Sequence, residues 1–229
     1  MAMILHIETA SPVCSVALGR DGDLLHVLED EGGRSHGRLL TVLIDRLLRE
    51  ADLGPGDLDA IAVSIGPGSY TGLRIGLSAA KGMAYALDRP LIGLSSLDAL
   101  ADAVETDAAH ILTTMDSRRN ELYAGLYDSR GQAVTLSGPV VLDEDWFNGL
   151  PDGPIAVAGT GWHKLAESAH ADRFEIQDDL RFSAVHLVPA AHRKHQRSEH
   201  LDLAYSAPDY MKPFISGGRS AQPNSASKR

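Results

Sequence analysis

The densest chemistry in this sequence lies in residues 64–82, Ser-Ile-Gly-Pro-Gly-Ser-Tyr-Thr-Gly-Leu-Arg-Ile-Gly-Leu-Ser-Ala-Ala-Lys-Gly. A β-rich run, 60–65, leads in, and a helix of small residues, 73–87, leads out. Between them Gly66, Pro67 and Gly68 force a tight turn, because glycine admits backbone angles closed to other residues while proline fixes its own. Ser69 or Thr71 is placed to cap the helix. A strand, a glycine turn and a helix N-terminus together aim unpaired amides and the helix dipole the same way, which is the geometry that holds anions. A phosphate loop is therefore the first chemistry suggested. Two departures weaken it: a Walker loop needs Lys and then Ser or Thr after its last glycine, whereas Gly72 is followed by Leu73 and Arg74. Thr71 also stands where the dinucleotide fingerprint has its third glycine.

Histidines form the second group. A helix predicted from Ser183 onward holds His186, His192, His195 and His200, with His192 and His195 one turn apart, a spacing that invites a metal. Arg193, Lys194 and Arg197 are interleaved and repel a cation, so a solvated polar face is expected and no metal. The single cysteine, Cys14, excludes an internal disulfide and the multi-cysteine zinc sites, and reads as a small core residue.

The elements that must position these groups are legible in outline. Strands are predicted over 3–9, 14–19 and 24–29, with Asp21-Gly22-Asp23 as a hairpin turn. Ser35 is placed to cap a helix over 36–51. Its apolar residues, among them Leu39, Leu40, Val42, Leu43, Ile44, Leu47 and Leu48, sweep roughly 240° of the wheel, against roughly 100° for a surface helix. One face packs on a sheet and the other needs a second partner, either the 73–87 helix or another protein chain. That second helix is itself apolar nearly all round, with Arg74, Lys81 and Tyr85 as its main polar groups. After it come a strand over 91–94 and a short helix to Val104 capped by Ser95 or Ser96. A second series of strands follows over 111–115, 122–127, 134–141 and 155–158, and Gly159-Thr160-Gly161 then opens a helix through Ala169. Two related α/β halves fit this order: an N-terminal lobe, 1–105, and a C-terminal lobe, 106–215, whose last segment returns to the first. Residues 216–229, rich in Ser, Gly and Ala, read as a disordered tail.

With 229 residues and 44% apolar content the chain can bury a sizeable core. Acidic residues outnumber basic ones 31 to 21, and the resulting net charge of −10 disfavours tight tRNA or DNA binding by this chain alone. Glu8 and the lack of a basic start argue against a signal peptide, and no apolar run approaches membrane-spanning length, so a cytoplasmic protein is expected.

Gly66-Pro-Gly-Ser-Tyr-Thr-Gly-Leu-Arg-Ile-Gly with Ala80-Lys81-Gly82 resembles the hallmark of the TsaB (YeaZ) family of tRNA threonylcarbamoyladenosine biosynthesis. Supporting matches are Ile7-Glu8-Thr9, Arg34-Ser35-His36, Ser95-Ser96-Leu97-Asp98-Ala99-Leu100, Asp116 to Tyr123 and Pro208-Asp-Tyr-Met-Lys212, so the resemblance spans about residues 3–214. It implies a two-lobed fold of the actin-like ATPase, sugar kinase and Hsp70 class, with mixed sheets flanked by helices. It further implies a non-catalytic activator of a TsaD-type transferase, with a TsaE-type ATPase as second partner, tRNA met only through the complex, and a homodimer when alone. The family pairs through its first two helices, which places the interface on His36, Leu40, Ile44, Gly66, Gly68, Tyr70, Thr71, Gly72, Arg74 and Ile75. TsaD-type enzymes carry two metal-binding histidines where this sequence has Ser96 and Leu100, so no metal is expected. No cofactor is expected either. The alternative is a nucleotide-dependent phosphotransferase or hydrolase of the same fold, binding ATP or ADP weakly at a vestigial site of Glu8, Thr9, Gly159 and Gly161.

Overall fold

The computed structural model describes residues 1–32 and 36–211, so the Ser35 cap, Lys212 and the predicted tail fall outside the described residues. The chain begins with three antiparallel strands, β1 (Met3–Glu8), β2 (Cys14–Arg20) and β3 (Asp23–Asp30). Asp21 and Gly22 join the last two at φ of 55° and 95°, as a two-residue hairpin turn with both central residues left-handed requires. Helix α1 (His36–Glu50) follows, then β4 (Ala60–Gly66), α2 (Tyr70–Leu87), β5 (Leu91–Ser95) and α3 (Ser96–Ala101). Strands β4 and β5 add parallel to β1, giving the order β3-β2-β1-β4-β5.

The pattern then repeats. β6 (His110–Asp116), β7 (Glu121–Asp128) and β8 (Ala133–Val141) are antiparallel; α4 (Glu144–Asn148) leads to β9 (Ile155–Gly159), and α5 (Trp162–Ala166) to β10 (Phe174–Gln177). The second sheet runs β8-β7-β6-β9-β10, again with two antiparallel and two parallel ladders. Helix α6 (Leu187–Gln196) closes the regular structure.

Apolar alternation along the strands decides what each face packs against. Leu5 and Ile7 of β1, Val16 and Leu18 of β2, and Ile61 and Val63 of β4 meet Leu40, Ile44, Leu47 and Leu48 of α1 and Leu77, Ala80 and Ala84 of α2. The opposite face, with Ile4, Ala60, Ala62, Ile92 and Leu94, meets Ala99 of α3 and Leu187 and Ala191 of α6. The last helix thus lies on the first sheet. In the second sheet Leu112, Leu122, Ile155 and Val157 pack with Phe147 of α4, Leu165 of α5 and Phe174.

Several expected boundaries shift. Helix α2 starts at Tyr70 rather than Leu73, because Ser69 accepts the Gly72 amide at 3.2 Å and so fixes the first turn. The helix after Gly161 stops at Ala166, short of Ala169. Of the four clustered histidines, only His192 and His195 are within α6; His186 lies in the 3-10 turn before it and His200 beyond its end. Cys14 is in the first core, where burial pushes its thiol up to about 11.

Candidate functional site

The end of β1 and the start of α2 form the region that the glycine turn marks out. The Ser69 amide donates to the Ala10 carbonyl at 2.7 Å, and Thr9 Oγ1 donates to the Gly72 carbonyl at 2.9 Å. Gly72 lies so close beneath the Thr9 carbonyl that no side chain fits there. The space in front of the α2 N-terminus, where a phosphate would sit, is thereby filled by the chain's own residues 9 and 10, and the phosphate-loop reading is set aside. Gly66 is buried under the Asp209 carbonyl, and Gly68 packs against Ala10.

Glu8 is fully buried at this strand end. Its Oε1 accepts from the Ala10 amide at 2.6 Å and the Ser64 hydroxyl at 2.8 Å, and its Oε2 from the Ser96 hydroxyl at 2.9 Å. Burial raises its carboxyl above the ordinary range while the three donors oppose that shift. The bonds tie β1, β4 and the first turn of α3 together. Ser96 therefore spends its hydroxyl on Glu8, and Leu100 lies in an apolar cluster with Ala10, Leu73, Leu97, Met115, Ala158 and Phe182. Neither suits a metal: the hydroxyl is already bonded to a carboxylate and the leucine side chain has no donor atom, so the two positions where the resemblance would place ligands do not fit one here.

Gly159 and Gly161, expected on phosphates, face inward. The Gly159 amide donates to the Leu180 carbonyl at 3.3 Å and the Gly161 amide to the Thr114 carbonyl at 3.4 Å. Gly159, at φ 96°, lies against the Thr114 carbonyl, where no side chain could follow. The five-residue α5 that comes next offers little dipole. No hydrogen bond among the described residues joins Glu8 or Thr9 to Gly159 or Gly161, and the Ala10–Ala158 apolar cluster bridges the two strand ends. Among the described residues there is also no group of three or more His, Cys, Asp or Glu that could hold a metal, and no helix long and apolar enough to cross a membrane.

What remains open is the outer face of α1 and α2. Leu40 and Ile44, expected as interface anchors, are 2% and 5% exposed and belong to the first core, because 40, 44, 47 and 48 form the stripe that meets the sheet. His36 is buried as well, its Nε2 donating to the Ser11 carbonyl at 3.1 Å. Gly66 and Gly72 are likewise covered, which removes them from direct contact. Of the expected interface residues, Tyr70, Thr71 and Arg74 are exposed and Ile75 is half-buried. Val42, about 200° around the wheel from the Leu40 stripe, is 57% exposed. It is the residue that sequence reading should have chosen: one apolar side chain out of register with an otherwise buried stripe. A methyl added at Gly37 would meet Ile75 Cδ1 at 3.6 Å, an ordinary contact, so the first turn of α1 lies near Ile75 of α2. Towards the C-terminus of α1 a groove of 370 Å³ opens between that helix, the 53–55 loop and Met83 of α2, with Ile44, Leu48, Leu53, Pro55 and Met83 as its apolar lining beside Thr41, Asp45 and Arg49.

The chain's last described segment runs along the far side of α2. Leu201 donates its amide to the Leu91 carbonyl at 2.8 Å, Lys81 Nζ reaches the Ala204 and Ser206 carbonyls at 3.2 and 3.0 Å, and the Asp209 amide donates to the Ile65 carbonyl at 2.7 Å. Tyr210 stacks on Tyr70 at 4.7 Å, and Arg74 donates to the Tyr70 hydroxyl at 2.7 Å. Tyr70 and Arg74 thus form the edge of the α1–α2 face on the side this segment covers.

The model of the TsaD family, tRNA N6-adenosine threonylcarbamoyltransferase, matches residues 27–216. The tRNA threonylcarbamoyladenosine biosynthesis protein TsaB of Haemophilus influenzae is 37% identical over 171 residues, 69% of this chain and 72% of that one. TsaB of Bacillus subtilis is 34% identical over 167 residues, 70% and 73% of the two chains. Among solved structures, YeaZ from Pseudomonas aeruginosa superposes with a TM-score of 0.76 at 27% identity, covering 92% of this chain and all of that one. The two repeated mixed sheets with flanking helices are those of the actin-like ATPase, sugar kinase and Hsp70 fold. With a match to the TsaD family model over most of its length and TsaB proteins as relatives, this chain belongs to the TsaB family.

Proposed function

We propose that this chain is a non-catalytic activator of a TsaD-type transferase in tRNA threonylcarbamoyladenosine biosynthesis, acting on the adenosine that follows the anticodon of tRNAs reading codons that start with A. It offers α1 and α2 as a docking face, works with a TsaE-type ATPase in the cytoplasm, and meets tRNA only within that assembly. Alone, the same face pairs two copies. The observation that carries this reading is the outer surface of the two helices, where Val42 of α1 is exposed, Ile75, Ala79 and Met83 of α2 are only half-buried, and an apolar groove opens between α1, the 53–55 loop and Met83. Exposed apolar surface of this kind marks interaction sites. Glu8 supports it from the other side: its oxygens are bonded to Ala10, Ser64 and Ser96, and the carboxylate has no free face to offer a substrate or ion.

Reconstitution tests the proposal. Purified TsaD-type transferase, TsaE-type ATPase, tRNA, threonylcarbamoyl-adenylate and ATP are combined with and without this chain, and modified adenosine is read by mass spectrometry. Modification should depend on the chain and be lost with V42E/S78E, a pair of exposed positions. Full modification without the chain, or with the double variant, would overturn the reading. Saturable ATP binding by the chain alone would turn attention to the nucleotide-dependent enzyme.

A further inference from the structure

We propose that residues 212–219 of this chain cover its own α1–α2 face when no partner is on it, with Phe214 and Ile215 as anchors and Arg219 beyond them. Any partner must then displace them first. This rests on the reading of that face as a docking surface and adds what sets its availability.

The described chain is delivered to the rim of the face. Lys81 Nζ holds the Ala204 and Ser206 carbonyls, the Asp209 amide holds the Ile65 carbonyl, and Tyr210 stacks on Tyr70 in the first turn of α2. The sequence continues Lys212-Pro-Phe-Ile-Ser-Gly-Gly-Arg219. Phe214 and Ile215 are the only large apolar residues in 212–229, and they come four and five positions after the Tyr210 stack. The same stretch carries Lys212, Arg219, Lys228 and Arg229 and no carboxylate.

Reach and route both suit the face. At about 1.5 Å rise per residue, Ala79 and Met83 lie about 14 and 20 Å along α2 from Tyr70. An extended chain advances about 3.3 Å per residue, which takes Ile215 about 16 Å and Arg219 about 30 Å past Tyr210. Between the Arg74 flank of α2 and its Ile75, Ala79 and Met83 side stand only exposed Ser78 and Gly82, and no atom lies within 4 Å of where a Gly82 side chain would begin. Crossing that low line brings the two apolar anchors to Ala79, Met83 and the 370 Å³ groove.

Charge favours the same occupant. Residues 41–59, which form the groove wall opposite Met83, hold five carboxylates, Asp45, Glu50, Asp52, Asp57 and Asp59, against two cations. Both cations are engaged, Arg46 with Glu50 and Arg49 with Asp45. Asp52, beside the lining residue Leu53, is exposed and has no cationic partner among the described residues, so a cation arriving past Met83 meets an open acid. A tethered segment competes through its high local concentration rather than through a large contact area. Docked about nine-tenths of the time, it lowers the apparent affinity of any partner about tenfold.

Disulfide trapping on the full chain tests this. Cys14 is 1% exposed, so introduced thiols react without it. In a glutathione buffer S216C/G82C should form an intrachain disulfide about tenfold more readily than S216C/L136C, whose second site is exposed on the edge strand β8. F214E/I215E should abolish that preference and R219E should reduce it about threefold. Equal trapping at the two sites, or disulfides found only in covalent dimers, overturns the inference. In sedimentation, F214E/I215E should bind the TsaD-type transferase about tenfold more tightly than the wild type. An affinity that is unchanged or weaker overturns the competition. If neither wild type nor variant binds the transferase, the proposed function fails instead, and trapping still decides whether the segment lies on the face.

Discussion

The two halves of this molecule share one strand plan and differ in what covers it. Each sheet is built from three antiparallel strands and two parallel additions, β3-β2-β1-β4-β5 in one and β8-β7-β6-β9-β10 in the other. The helix entering the first parallel strand has fifteen residues in the first half and five in the second; the helix leaving it has eighteen and five. Five residues make about one and a half turns. That is enough to carry one anchor such as Phe147 or Leu165 onto a sheet, and not enough to expose a second ordered face. Fifteen and eighteen residues are enough for both. The strands serve the fold in both halves, and the longer helices of the first half both cover its sheet and expose a second face.

The largest effect that can break this comparison is expected at Ile44. Replacing it by Glu places a carboxylate where the side chain is 5% exposed among Leu40, Leu47, Val63 and Leu77, and should cost about 4 kcal/mol or more. Phe147→Ala removes the corresponding anchor from α4 and should cost about 3–5 kcal/mol through the cavity it leaves. Thermal melting followed by circular dichroism reads both. A folded Ile44→Glu chain of unchanged melting temperature would mean that the inner stripe of α1 is not core, and the distinction between inner and outer faces would collapse.

Much of the plan was legible because it is local. Asp21-Gly22 predicts its hairpin from two residues, Ser69 its cap from a spacing of three, and the apolar runs of β1, β4, β6 and β9 announce buried strands. Missed were α4 and β10, five and four residues long, too short to show a period. The candidate site was harder to see for a different reason. A 240° apolar arc on α1 says that more than one face is covered, but which residues turn inward is decided by β2, β4 and α2, which are far away in sequence. Likewise nothing near Gly66 reveals that Thr9 and Ala10 fill its anion pocket, since that bonding spans some sixty residues. Local chemistry suggested a ligand loop there, and tertiary packing makes it a joint.

A smaller effect sharpens the comparison at the central strands. In β1, His6 is fully buried; its Nδ1 donates to the Ala17 carbonyl at 3.3 Å, and its Nε2 meets no partner among the described residues. Burial holds its pKa down to about 4, against 6.5 in the open chain. Between those values the unfolded chain binds a proton that the folded chain refuses, so stability falls on acidification by about 1.4 kcal/mol per pH unit, to about 3 kcal/mol in all. Glu8, raised by burial, works in the opposite sense, gaining its proton in the folded state first. The difference between wild type and His6→Leu isolates the histidine: denaturant midpoints of the wild type should drop more steeply from pH 6.5 to 4. Parallel curves would place the charge-excluding environment elsewhere. The second central strand, β6, carries Thr113 and Thr114 in its buried interior, which do not titrate, so this sensitivity belongs to the first half.

The smallest effect on stability separates the two halves most sharply in function. Val42 is 57% exposed on α1, and Leu136 is 93% exposed on the edge strand β8. Replacing either by Glu removes little from any core and should shift stability by no more than about 0.5 kcal/mol. If exposed apolar surface alone made a docking site, the more exposed Leu136 would be the better candidate. But Leu136 stands on a single edge strand, whereas Val42 lies on α1, the helix that lines an apolar groove with Met83 of α2. Val42→Glu should therefore abolish pairing with the transferase in a sedimentation or pull-down assay, and Leu136→Glu should leave it intact. The reverse pattern would move the docking surface to the second sheet and leave the length of α1 and α2 without a purpose beyond the core.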